Sequence, residues 1–310
     1  VDLLMLNRQW LVFLSVLLLL GGCSVTKAPF SARIDHLGLM QSRVVDARNV
    51  DVWLPRQYFE NPEQRFAVLY MHDGQNLFDA ATSGYGVAWE VDDAAQRLMD
   101  EGKIRPVIIV GVWNTPKRRV EYFPEKAANY FTEQDNAILD EFKKHLGVTG
   151  VYLADEYLQF VVKELKPQID NKYRTLSDKP NTFVAGSSMG GLISMYAVAE
   201  YPNVFGGAGC VSTHWPLLFN NDHMSLSNSI RNYMIDRFPV AGDHRVYFDF
   251  GTETLDQFYE VHQLKVDKIM RAKGYVEEKD WVTKKFPGAA HNELSWQKRI
   301  DVVLQFLLKP

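Results

Sequence analysis

The stretch Val184-Ala185-Gly186-Ser187-Ser188-Met189-Gly190-Gly191 decides how the rest of this chain is read. An apolar run over residues 182–185 leads into it, and Leu192-Ile193-Ser194-Met195-Tyr196-Ala197, a good helix opening, follows. Glycines two places before and two places after a serine, set between a strand and a helix, describe a turn too tight for side chains at its flanks. Gly186 and Gly190 meet that need. Such a turn lifts Ser188 Oγ beyond the strand end and aims the Met189 amide, at the helix N-terminus, toward negative charge developing on a bound carbonyl. Ser188 is the candidate nucleophile and Met189 the first candidate oxyanion donor. Ser187 lies off the motif's register and is read as support for the turn.

A serine hydroxyl keeps its proton at neutral pH and needs a positioned imidazole before it can attack. Around a turn of this kind the partners follow in the order serine, acid, histidine. Of eight histidines, His291 fits best, in the loop Phe286-Pro287-Gly288-Ala289-Ala290-His291-Asn292-Glu293 between the last apolar run and the last helix. His223 and His244 are less well placed, and His262 lies in a helical run that reads as surface or packing. His214 follows another strand end, and with Trp215 it reads as pocket wall for substrate. The acid belongs just past Val246-Tyr247-Phe248-Asp249-Phe250-Gly251, where Glu253 and Asp256 are both available. Asp256 is preferred, because it stands at an expected helix start where the loop can turn it toward the imidazole Nδ1–H. Glu253 stays open as the alternative, and Asp249 is inside the strand.

One amide rarely suffices for a tetrahedral oxyanion, and the second is expected in the loop after the third strand. That loop reads Tyr70-Met71-His72-Asp73-Gly74-Gln75-Asn76-Leu77-Phe78-Asp79. Gly74 permits a backbone turned toward the substrate and is counted with the substrate-binding residues, while Gln75 carries the amide. His72 and Asp73 resemble a fragment of a zinc site, but no second His or Cys stands near them, so they are read as braces. No metal or cofactor is expected.

Away from these motifs the chain alternates short apolar runs with helical segments. The runs cover residues 66–71, 107–112, 182–185, 206–211, 246–250 and 281–286. Continuous apolar strands separated by helices imply a mostly parallel sheet covered on both faces, the α/β class. Alternating Val50, Val52 and Leu54, after a turn-like Ala47-Arg48-Asn49, add an antiparallel hairpin at the start and bring the sheet to about eight strands. Tyr157, Leu158, Val161, Val162 and Leu165 share a helical stripe expected to end at Pro167. Trp296, Ile300, Val303, Leu304 and Leu307 form a second stripe. Residues 114–149 are too polar and uneven for core and are expected to be one long irregular loop.

The N-terminus is of another kind. Arg8 precedes an almost unbroken apolar stretch over residues 11–20, which then meets Leu20-Gly21-Gly22-Cys23. A basic start, a short apolar core and small residues at the exit describe an export signal. The stretch is short of the about 20 residues that span a membrane. Leu-Gly-Gly-Cys resembles a bacterial lipobox, with Cys23 acylated as the mature N-terminus. The expected organisation is a lipoprotein signal at 1–22, a tether at 23–40 and one domain at 41–310. The expected location is the bacterial cell envelope, lipid-anchored at the periplasmic face of the outer membrane or at the cell surface. With Cys23 lipidated, only Cys210 remains of the two cysteines, and it lies in an apolar run, a buried thiol. A net charge of −4 gives no electrostatic reason to expect nucleic acid.

These residues together resemble the esterase family that includes esterase D, enterochelin esterases and the feruloyl and acetyl xylan esterases. The resemblance rests on His72 to Asp79, the Gly186-to-Gly191 turn, the run from Gly251 to Asp256, the loop before His291, and Leu153-Ala154-Asp155-Glu156-Tyr157. It implies an α/β-hydrolase fold and a metal-free Ser-His-acid mechanism. It also implies that Asn114, Arg118, Glu121 and Tyr122 stand near the mouth of the site. The expected activity is two-step hydrolysis of an acylated carbohydrate or other small ester. Two rivals remain: an acyltransferase of the same fold, or a surface lipoprotein that only binds a ligand. Neither the particular ester nor the oligomeric state is legible in the sequence.

Overall fold

The apolar runs form six of the eight strands of one sheet, the last of them at its edge. The computed structural model describes residues 30–310, so the expected signal, Cys23 and the first part of the tether lie outside the described residues. The strands are β1 (Arg33–Met40), β2 (Arg48–Leu54), β3 (Ala67–His72), β4 (Val107–Val112), β5 (Thr182–Ser187), β6 (Gly207–Val211), β7 (Arg245–Gly251) and β8 (Trp281–Phe286). Their order is β1-β2-β4-β3-β5-β6-β7-β8. The pairings of β1 with β2 and of β2 with β4 are antiparallel, and every pairing from β4 onward is parallel.

Side chains alternate across the pleat, so one strand supplies two cores. Val68 and Tyr70 enter the core beneath helices Met189–Glu200, Met224–Arg237 and Glu260–Ala272, while Leu69 and Met71 enter the one beneath Val91–Asp100 and Ile300–Leu307. The α/β-hydrolase fold, with eight strands and helices on both faces, is what is found. Because β3 to β8 run parallel, their C-terminal ends share one edge. The loops carrying Gln75, Ser188, His214, Asp256 and His291 all leave from that edge, where open α/β sheets bind ligands.

The structure departs from the expectations in four places. The tether does not reach residue 40: Arg33–Met40 is an edge strand, and it is the partner of β2 in the opening hairpin. Its half-exposed, partly charged residues hide it in the sequence, because backbone pairing rather than its own apolar face makes it a strand. Arg48 and Asn49, read as a turn, are already in β2. Residues 114–149 are not irregular, for they contain helix Arg118–Glu121, a 3₁₀ segment and helix Glu133–His145. The last begins with a capping box, Thr132 accepting from the Asp135 amide while the Asp135 carboxylate accepts from the Thr132 amide, a Thr-x-x-acid signal the sequence reading missed. Finally, Pro167 does not end its helix, which continues to Lys172. A π-helical stretch, Phe160–Leu165, precedes it and starts a new turn, so the missing proline N–H falls where helices leave donors free.

Candidate active site

The turn after β5 is strained in the way its sequence predicts. Ser188 has φ 58° and ψ −119°, a conformation costing on the order of 1–3 kcal/mol for a residue with a side chain. Neighbouring strands hold it there: the Ser188 amide donates to Val211 O (2.9 Å), and the His214 amide donates to Ser188 O (3.2 Å). A Cβ on Gly186 would stand 3.0–3.1 Å from the Gly190 backbone, and one on Gly191 would stand 2.8 Å from Thr213 Oγ1. Gly190 itself has ordinary room, so the tightness falls on Gly186 and Gly191.

Ser188 Oγ lies 2.9 Å from His291 Nε2, and His291 Nδ1 lies 2.6 Å from Asp256 Oδ1. A carboxylate can only accept, so the imidazole proton sits on Nδ1 and leaves Nε2 to accept from the serine hydroxyl. Asp256 is buried, whereas Glu253 points to solvent, which settles which carboxylate meets the ring. Close packing brings the histidine loop there. A Cβ on Gly251 would fall 2.1 Å from Ala289 O, and the amides of Thr252 and Glu253 both donate to that same carbonyl.

The acid is itself held from behind. Asp256 Oδ2 accepts from the Gly251 amide (2.6 Å) and the Ser212 hydroxyl (2.6 Å). Ser212 Oγ in turn accepts from Arg299 Nη2 (2.6 Å) and Trp296 Nε1 (3.1 Å), and Arg299 is clamped on buried Asp249. Burial alone would raise the Asp256 pKa; the hydrogen bond and charge of His291, with Ser212 and Gly251, outweigh it and hold the carboxyl below its usual range. Ser212 and Arg299 were not in the sequence reading, and Asp249 entered it only as a carboxylate inside the strand. No local motif marks them, since they meet only when β6, β7 and the last helices pack.

The other expected residues divide. Met189 opens the buried helix, so its amide has no intrahelical acceptor, and Gln75 stands across the cleft on the 3₁₀ turn Gly74–Asn76. Asn114 and Arg118 line the cleft as expected, and both bind Asp73: Asn114 Nδ2 at 2.6 Å, and Arg118 by two contacts of 2.7 Å. Burial would raise the Asp73 pKa, but Arg118 and Asn114 lower it below the ordinary value.

Five residues expected at the substrate are not on the cleft wall. A Cβ on Gly74 would meet Gly111 at 2.5 Å, so its glycine serves close packing on β4. Glu121 is fully buried in an ion pair with buried Arg48. Tyr122 is fully buried, its hydroxyl accepting from the Asp73 amide at 3.3 Å. His214 and Trp215 turn inward at Ser212 (φ 40°), His214 onto the Tyr259 hydroxyl (2.8 Å) and Trp215 onto Gln263 (2.8 Å). Burial, helped by the nearby charges of His291, Arg119 and Arg118, lowers the His214 pKa to about 3, so this ring is neutral.

The cleft itself holds about 510 Å³ and is lined mainly by Asp73, Gln75, Asn76, Tyr85, Trp89, Asn114, Arg118, Ser188, His291, Glu293 and Trp296. Tyr85, Trp89, Glu293 and Trp296 were missed, because distance along the chain conceals a shared wall. Among the described residues no group of three or more His, Cys, Asp or Glu is arranged to hold a metal.

A hydroxyl, an imidazole and a carboxylate stand in series at the C-terminal edge of the sheet of an α/β-hydrolase fold. A family model described as "Putative esterase" matches residues 42–303, and the chain belongs to that family, the carboxylic ester hydrolases. The uncharacterized protein YbbA of Bacillus subtilis is 24% identical over 278 residues, covering 87% of this chain and 96% of that one. An endo-1,4-beta-xylanase/feruloyl esterase of Xylanibacter ruminicola is 26% identical over 84% of this chain, which spans 29% of that longer protein. Among solved structures, a ferulic acid esterase superposes with a TM-score of 0.60 at 19% identity, covering 90% of this chain and 99% of its own. The enterobactin esterase FES from Shigella flexneri does so with 0.63 at 15% identity, covering 92% and 61%.

Proposed function

We propose that this chain is a serine esterase that works through an acyl-enzyme on an acylated carbohydrate or other small ester. Ser188 Oγ attacks the ester carbonyl carbon while His291 Nε2 takes the hydroxyl proton, and Asp256 stabilises the imidazolium. The Met189 and Gln75 amides hold the oxyanion. Collapse of that intermediate expels the alcohol, which leaves with the proton from His291; water then enters by the same route and releases the acid. The observation that carries this reading is the unbroken series from Ser188 through His291 to Asp256, with contacts of 2.9 and 2.6 Å.

Ser188→Ala is expected to abolish turnover of p-nitrophenyl acetate and butyrate, a loss of about a millionfold or to background. Hydrolysis persisting at the wild-type rate in that variant would overturn the assignment. The N-terminal motif extends the proposal to location: Cys23 acylated, and the enzyme tethered at the cell envelope, with residues 24–32 as the spacer. Metabolic labelling with an alkyne fatty acid should mark the wild type and not Cys23→Ala.

A further inference from the structure

The charges on the cleft wall do not balance. Its charged side chains are Asp73, Arg118 and Glu293. Both hydrogen bonds of Arg118 go to Asp73, so Glu293 feels the Arg118 charge only at a distance and has no cation hydrogen-bonded to it. Only 5% of Glu293 is exposed, and apart from its own amide it makes no hydrogen bond or ion pair with any described residue. Its oxygens are not among the buried side-chain atoms without a partner, so the carboxylate faces the cleft, where a substrate hydroxyl can take the place of water. Glu293 opens the short helix Glu293–Gln297, which Asn292 caps, but the cap is made by the Asn292 side chain and does not need this carboxylate.

Its position says which part of a substrate can supply the partner. On the proposed mechanism His291 passes its proton to the departing alcohol, so the alcohol lies on the His291 side of the cleft. Glu293 is two residues beyond His291 on that same wall, with the Trp296 and Trp89 rings 5.5 Å apart beside it. A hydrogen-bond acceptor on a wall that also carries two tryptophans suits the hydroxyls of a polyol. An unpaired negative charge in the same place repels an anionic alcohol.

We infer that Glu293 is a specificity residue, which accepts hydrogen bonds from the hydroxyls of a neutral polyol alcohol and excludes esters whose alcohol part is anionic. The inference rests on the esterase reading above and deepens it. A pair of acetates with the same acyl group separates the two effects: 4-acetoxybenzyl alcohol, ending in a hydroxyl, and 4-acetoxybenzoate, ending in a carboxylate. Acetylated xylo-oligosaccharide serves as the polyol. The wild type should favour the hydroxyl-ended ester over the carboxylate-ended one. In Glu293→Gln that ratio of kcat/KM should fall about tenfold to a hundredfold, the worth of one hydrogen bond to a charged group. The oligosaccharide should lose more than p-nitrophenyl acetate does. Glu293→Lys should reverse the preference, an outcome only a folded enzyme can give. A ratio unchanged in both variants, or a wild type that prefers the carboxylate-ended ester, would overturn the inference. Failure of the esterase reading looks different: the wild type would hydrolyse none of these esters, or Ser188→Ala would hydrolyse them all.

Discussion

Two serine–histidine pairs are hydrogen-bonded among the described residues, and the tighter one is not the candidate active site. Ser227 Oγ is 2.7 Å from His262 Nδ1, against 2.9 Å between Ser188 Oγ and His291 Nε2. Their surroundings differ at every other point. Ser227 lies on the regular helix Met224–Arg237, is fully buried, and accepts from Arg231 at 2.6 Å; Ser188 is pushed out at positive φ over a cleft. Behind His262 stands the neutral amide of Asn221 (2.7 Å), and behind His291 the Asp256 carboxylate (2.6 Å). Burial, with the charges of Arg231 and Lys265, pushes the His262 pKa down to about 4, so that ring resists the very proton a base must take. A hydrogen bond between serine and imidazole is therefore not what makes a nucleophile. Exposure of the hydroxyl, amides for the oxyanion and a carboxylate that welcomes the imidazolium do that.

The comparison can be attacked at its strongest point first. Asp256→Asn keeps the shape of the acid but removes the charge and lets the ring take the wrong tautomer. By analogy with other Ser-His-Asp sites, kcat should fall about ten-thousandfold. The reciprocal change, Asn221→Asp, gives the second pair its carboxylate and should create no esterase activity in a Ser188→Ala background. Activity appearing there would mean that the pair, and not its setting, is decisive.

A smaller effect is expected from the support behind the acid. Ser212→Ala removes one hydrogen bond to the Asp256 carboxylate and leaves Arg299 and Trp296 without their shared acceptor. A loss of about tenfold in kcat with little change in KM would mark a positioning role. A rise in KM alone would refute it.

The smallest catalytic effect belongs to Ser227. Ser227→Ala should leave kcat/KM within about twofold while lowering stability by about 1–3 kcal/mol in urea unfolding, since it strips hydrogen bonds from buried Arg231 and His262. The same pair gives a pH signature. His262 titrates near 4 when folded and near 6.5 when unfolded, so between those values the unfolded chain binds more protons. Its contribution is full above about pH 6.5 and is lost as the pH falls toward 4. Replacing His262 by Gln should therefore flatten the fall in melting temperature over that window, by an amount worth roughly 3 kcal/mol at most. A wild-type curve that is flat from pH 6.5 to 4, or a variant curve as steep as the wild type, would show that this histidine does not sense the acid.

By itself the sequence determined what is local. Six apolar runs became β3 to β8; β3 to β7 were visible because strands buried on both faces need no partner's pattern, while β8 is a half-exposed edge. The Gly-x-Ser-x-Gly turn located Ser188, and the chain order of its partners led to His291 and to the stretch holding Asp256 and Glu253. Only the tertiary structure decided which of those carboxylates meets the ring, because the choice depends on Gly251 pressing against Ala289 and on Ser212 and Arg299 arriving from other elements. It also moved Glu121, Tyr122, His214 and Trp215 into the interior and brought Trp89, Glu293 and Trp296 to the cleft. A turn is written in a few adjacent residues. A wall or a buried network is a matter of which distant segments become neighbours, and no spacing along the chain encodes that on its own.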